Sequence, residues 1–103
     1  ANNSPEGYIM ASSALGAVYS NENKHEQALQ LVLKAIDKAD SNKLMEISRR
    51  LLPMSIGINT NRNDYASALK QSEKLRALND SLLSIQKQEA ILELEKKFLR
   101  TFL

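Results

Sequence analysis

Few of the residues that do acid–base or nucleophilic chemistry stand in useful company in this chain. His25 is the single histidine and cysteine is absent. No histidine pair can therefore hold zinc or relay a proton, and no thiolate can attack or ligate. Carboxylates cluster at Asp37 with Asp40, and at Glu89 with Glu93 and Glu95. The spacing mimics a catalytic pair, but Lys96 and Lys97 lie three and four residues beyond Glu93, which is the spacing of surface ion pairs on a helix. No serine has a base and an orienting acid implied nearby, and there is no glycine-rich phosphate loop. Arg49-Arg50, and Lys96-Lys97 with Arg100, are short basic groups interleaved with acids, which reads as a solvated helix face. Met10, Met45 and Met54 fit core filling, or an adaptable groove if exposed. The expectation is no enzyme activity, no metal and no cofactor.

Composition narrows the class further. The 103 residues suit one modest domain, and a net charge of +2 without a basic block lacks the footprint of a nucleic-acid binder. No apolar run approaches the ~18 residues of a membrane span. The chain opens on Ala1 rather than Met, which reads as a piece of a longer protein. Its compartment stays open between cytoplasm and periplasm.

The elements that must position any site are helices. Ser4-Pro5-Glu6 supplies a hydroxyl cap, a first-turn proline and an acid. Apolar residues then recur at helical spacing through Tyr8, Ile9, Ala11, Leu15, Val18 and Tyr19. Asn23 with Glu26 has the spacing of a capping pair. Punctuation at 20–23, 40–42, 59–63 and 79–81 predicts five helices, near 5–21, 24–39, 42–59, 64–79 and 82–101, and no strand. Pro53 should kink or split the third.

A shift of 40 residues lays the chain on itself without gaps. Val18 meets Ile58, Asn21 meets Asn61, Asn23 meets Asn63, Ala28-Leu29 meets Ala68-Leu69, and Asp40-Ser41 meets Asp80-Ser81. A second shift sets Leu51-Leu52 on Ile91-Leu92 and Ile58 on Phe98. The expected fold is all-α: one domain over 1–103 of antiparallel helix hairpins, with repeat one at 5–40, repeat two at 41–80 and a terminal helix at 82–102, two and a half repeats in all. Gly16 and Ala28 flank the first turn and Ala35 follows two helical turns on. Small residues at those points let helices approach closely, and bulk there overpacks by about 1–3 kcal/mol.

Leu15, Gly16, Tyr19, Ala28 and Ala35 match the signature of tetratricopeptide repeats at all five positions, and the chain resembles that family. The second repeat keeps Ala68 but has Ser55, Ile56, Asn59, Ser72 and Leu75 at other signature positions, and the period of 40 exceeds the family's 34. The segment LNDSLLSIQKQEAILELEKKF resembles the end of the tetratricopeptide sensor regions of some bacterial regulators, of the membrane-linked histidine kinase and helix-turn-helix types. The resemblance implies an α-solenoid whose first helices line a concave groove for peptides or partner helices. Its groove positions fall here on Met10, Ser13, Ala17 and Asn21, then on Arg50, Pro53, Gly57 and Asn61, with Ala90, Glu93 and Lys97 added by the terminal helix. Ala17 and Gly57 replace the asparagines of the family's carboxylate clamp, so a carboxylate grip is not implied.

The function expected is a protein or peptide interaction module, the sensor or scaffold part of a larger bacterial signalling or regulatory protein. The alternative is an assembly element without a dedicated ligand. The terminal helix carries two apolar stripes, Leu83, Ile91, Leu94, Phe98 and Phe102 against Leu82, Ile85, Leu92, Leu99 and Leu103. One stripe is expected to cap repeat two. The other, exposed, is expected to drive homodimerisation through Ile85, Leu92 and Leu99.

Overall fold

The computed structural model describes residues 4–102, the Phe102 side chain excepted, so the stripe positions given to Leu103 and to that side chain lie outside the described residues. Every element is an α-helix, with no strand among the described residues: α1 (Pro5–Asn21), α2 (His25–Ser41), α3 (Met45–Asn61) and α4 (Tyr65–Phe102). Each of the first three has 17 residues, whereas α4 has 38. Each helix packs on the next. Their senses alternate: Lys38 near the end of α2 lies over the Tyr8 ring near the start of α1, and Asn59 near the end of α3 donates to Gln71 near the start of α4.

One turn is used three times. Asn23, Lys43 and Asn63 take positive φ of 60°, 57° and 63°. Around each, two backbone bonds close the helix end. Asn23 N–H donates to Ser20 C=O at 3.0 Å and Lys24 N–H to Tyr19 C=O at 2.9 Å. The pairs Lys43 to Asp40 and Leu44 to Ala39, and Asn63 to Thr60 and Asp64 to Asn59, repeat the pattern. These are Schellman endings, in which a left-handed residue reverses the chain and satisfies terminal carbonyls. At the start of α1, Gly7 N–H donates to Ser4 Oγ at 3.1 Å, as the Ser4-Pro5-Glu6 signal implies.

Three expectations are corrected. Asn23 does not cap α2: it is the left-handed residue that stops α1, and Lys24 precedes α2 without a side-chain cap bond. Glu26 pairs instead with Arg62 across to the α3–α4 turn. Pro53 does not split α3, which runs unbroken from Met45 to Asn61. Its ring sits on an exposed face, while Leu51, Leu52, Ser55 and Ile58 are buried on either side of it and hold both flanking turns in place. Finally, there are four helices, not five, because α4 runs straight through Asn79-Asp80-Ser81. The 40-residue register puts Leu83 where Lys43 turns left-handed and Leu82 where the Asn42 amide caps Lys38 C=O at 2.8 Å. A leucine pays about 1–2 kcal/mol in the left-handed region and has no amide to cap with, so the helix continues.

The core sits between α1, α2 and α3. Ile9, Val32, Ile36, Leu51, Leu52 and Ile58 are buried, with Ala28, Ala35 and Ala39 fully so. The three alanines leave α2 slim on both flanks, so α1 and α3 can each approach it. Gly16 does the same from α1: a Cβ there would lie 2.9 Å from Val32 Cγ2 and 3.4 Å from the Ala28 carbonyl oxygen. Leu75 and Leu78 of α4 pack against this core. Beyond Leu82 every described side chain of α4 is exposed. The terminal stretch therefore caps nothing; it projects, and the molecule extends 62 Å along its longest axis.

Candidate functional site: a cleft between the first and third helices

Leaning both α1 and α3 on a slim α2 leaves a gap between their C-terminal halves. Ala17, Ser20 and Asn21 form one wall, and Pro53, Met54, Gly57, Ile58 and Asn61 the other. The floor is apolar: Ile58 is buried and Met54 partly so. Gly57 adds depth, since no atom lies within 4 Å of where its Cβ would be. Asn21 and Asn61 stand exposed at the rim, and neither amide is taken up by another side chain among the described residues. The cleft holds about 230 Å³, below the 300–1,000 Å³ of sites for drug-sized ligands, which is room for one or two side chains of a longer ligand. No titratable residue lines it.

Of the sequence-derived groove residues, the fold brings Ala17, Asn21 and Asn61 together, along with Pro53 and Gly57. Met10, Ser13 and Arg50 lie on the same helix faces further from the cleft. Met10 is 71% exposed, Ser13 turns its hydroxyl back to Met10 C=O at 3.2 Å, and Arg50 lies 4.0 Å from Glu46. Glu93 and Lys97 are not brought here: they stand on the projecting part of α4, beyond its last residue that packs on the bundle. Ser20 and Ile58 were not among the groove positions suggested by the sequence, and helical adjacency to Asn21 and Gly57 was the signal available for them; Met54, singled out as core or groove, packs on the core and lines the cleft.

Two polar ties hold the α3 wall against α2 and α4. Asp40, at the end of α2, accepts from Ser48 of α3 and from Lys74 of α4, each at 2.6 Å. Burial alone would raise the Asp40 carboxyl, but the Lys74 and Ser48 hydrogen bonds and the Lys74 charge outweigh it and hold the group below its ordinary value. At the other end, Arg62 pairs with Glu26 and donates to Asn59 Oδ1 at 2.8 Å, while Asn59 donates to Gln71 at 2.9 Å. Asn59 is 1% exposed, so this chain of bonds satisfies a buried amide and joins α2, α3 and α4. Asp64 caps α4, accepting from Ser67 Oγ and N–H at 2.8 and 3.2 Å, and these two bonds lower its carboxyl as well.

His25 is partly buried, with Nδ1 shielded and unbonded. Its counterpart one repeat on, Tyr65, is 62% exposed, so the two do not share a packing role. Among the described residues no three His, Asp or Glu side chains gather as metal ligands, and no helix is long and apolar enough to cross a membrane. Compared with known proteins, the chain matches no protein family, no curated sequence and no solved structure.

Proposed function

We propose that the chain is a non-catalytic, tetratricopeptide-like interaction module that takes an uncharged stretch of a peptide or partner protein into the cleft between α1 and α3. The observation that carries this reading is the cleft itself: apolar floor, two unengaged rim amides and no titratable group. An apolar floor takes small or aliphatic side chains, and rim amides pair with the backbone polar groups that those side chains leave behind. The close approach at Gly16, Ala28 and Ala35 supports the family likeness. On that likeness the module is the sensor or scaffold part of a larger bacterial signalling or regulatory protein. The projecting α4 favours self-assembly as a separate property rather than a rival to cleft binding.

Selection of a displayed random-peptide library on the immobilised chain tests the reading. Enriched sequences should be neutral with small aliphatic residues. Their affinity should fall about tenfold with Asn61→Ala and less with Arg50→Glu, at unchanged helix content. No enrichment, or equal binding by both variants, would remove the cleft from consideration.

A further inference from the structure

The face of α4 that packs on the bundle continues past it without a break. Leu75 and Leu78 touch the core and Leu82 is partly buried. The same seam then carries Ile85, Leu92 and Leu99, at 41%, 55% and 53% exposure. Along this seam Leu78, Ile85, Leu92 and Leu99 fall every seventh position, a period of 3.5 that keeps one face turned to a partner helix in a coiled coil. The intervening seam positions are Leu75, Leu82, Glu89 and Lys96. Most of a helix's stability in a protein comes from packing its apolar face, so the exposed seam calls for an occupant.

Two features select that occupant. The first is charge. In a parallel pair, equivalent seam positions meet their own kind, setting Glu89 against Glu89 and Lys96 against Lys96. In an antiparallel pair centred near Leu92, Glu89 of each helix comes within about a turn of Lys96 of the other. Lys96 now lies 3.6 Å from Glu93 in an exposed pair, which is too weak to hold it there. The second is shape. At Leu75–Leu82 the seam faces its own α3, so the bundle lies on the seam side of α4. Parallel helices would bring both bundles into the same space. Antiparallel helices set them at opposite ends, with each helix tip directed at the recess between Glu46, Arg49, Asn79 and Leu82 at the base of the other.

We propose that a second copy of this chain occupies the seam, the two projecting helices pairing antiparallel about a two-fold axis near Leu92 with Glu89 and Lys96 opposed across it. The interface lies at the end of the bundle away from the cleft, and it does not depend on what the cleft binds.

Charge exchange separates the two directions. The chain and its Glu89→Lys, Lys96→Glu and doubly exchanged variants are brought to sedimentation equilibrium. The intact chain should be dimeric at ~100 µM, each single exchange should weaken the dimer about tenfold or more, and the double exchange should restore it. Leu92→Lys with Leu99→Lys should abolish it. These positions are exposed and the exchanged residues are comparable helix formers, so the bundle should be unaffected, which circular dichroism checks. A monomeric intact chain overturns the proposal. So does indifference to the single exchanges, which a parallel pair predicts because like still faces like, and so does failure of the double exchange to restore association.

Discussion

A methyl group at Gly16 has no place to go: it would press on Val32 Cγ2 at 2.9 Å, against an α2 whose alanines already bring the backbones close. Gly57, one α-helix pair on, faces open space. We expect Gly16→Leu to lower unfolding free energy by about 2–3 kcal/mol through overpacking. Gly57→Ala should raise it by about 0.5–1 kcal/mol, because alanine is the better helix former and nothing obstructs it. Chemical denaturation of the two variants checks both signs, and equal losses would contradict the packing. The Asp40 carboxylate gives a pH signature. Its folded-state pKa is lowered from an ordinary value of 3.8. The unfolded chain therefore binds protons more readily, and the contribution is present above about pH 4 and lost as pH falls below it. The side chain is 40% exposed, so the contribution is that of a surface pair, about 0.2–1 kcal/mol. Asp40→Asn should flatten the fall in melting temperature between pH 5 and about pH 3. The Asp64 cap, also lowered, will keep part of that slope.

At the scale of elements, what the sequence shows and what it hides follow from turn chemistry. Asn23 and Asn63 advertise their turns because asparagine tolerates the left-handed region. Lys43 does the same job without advertising it, and the Asp40-Ser41-Asn42 run before it is the readable sign. Asn79-Asp80-Ser81 shows the same polar composition, yet Leu82 and Leu83 follow where an amide and a left-handed residue are needed. Composition alone could not show that. Pro53 misleads in the opposite direction: as a local signal it breaks helices, but burial on both sides of it holds this one. The cleft was half legible. The tetratricopeptide resemblance put Ala17, Asn21, Pro53, Gly57 and Asn61 on the faces that line the cleft, but only the length of α4 shows that Glu93 and Lys97 stand apart from them. A helix whose described side chains are all exposed past Leu82 should also open first. In dilute solution, amides of 86–101 should exchange with deuterium about a hundredfold or more faster than those of Val32 and Ile36, which report the core. Equal protection at the lowest concentrations would mean that the stretch packs on its own bundle.

At the scale of the whole molecule, the proposed peptide cleft and the proposed self-association seam lie at opposite ends of the bundle. The end bearing the turns at 22–24 and 62–64 holds an uncharged cleft shaped by α1 and α3. The other end extends a heptad seam on a single helix. On the two proposals, a copy would bind a peptide at one end and a second copy at the other without the sites competing. Leu92→Lys with Leu99→Lys should therefore leave peptide affinity within about twofold of the intact chain. Gly57→Leu, which fills the cleft, should leave sedimentation unchanged while reducing peptide binding about tenfold or more. The most direct measurement is titration of the isotope-labelled chain with a selected peptide, followed by amide chemical shifts. Cleft binding predicts that the largest changes gather at Ala17, Ser20, Asn21, Gly57 and Asn61 and vanish with Gly57→Leu. Changes concentrated along 85–101, or on the outer face of α2, would contradict it.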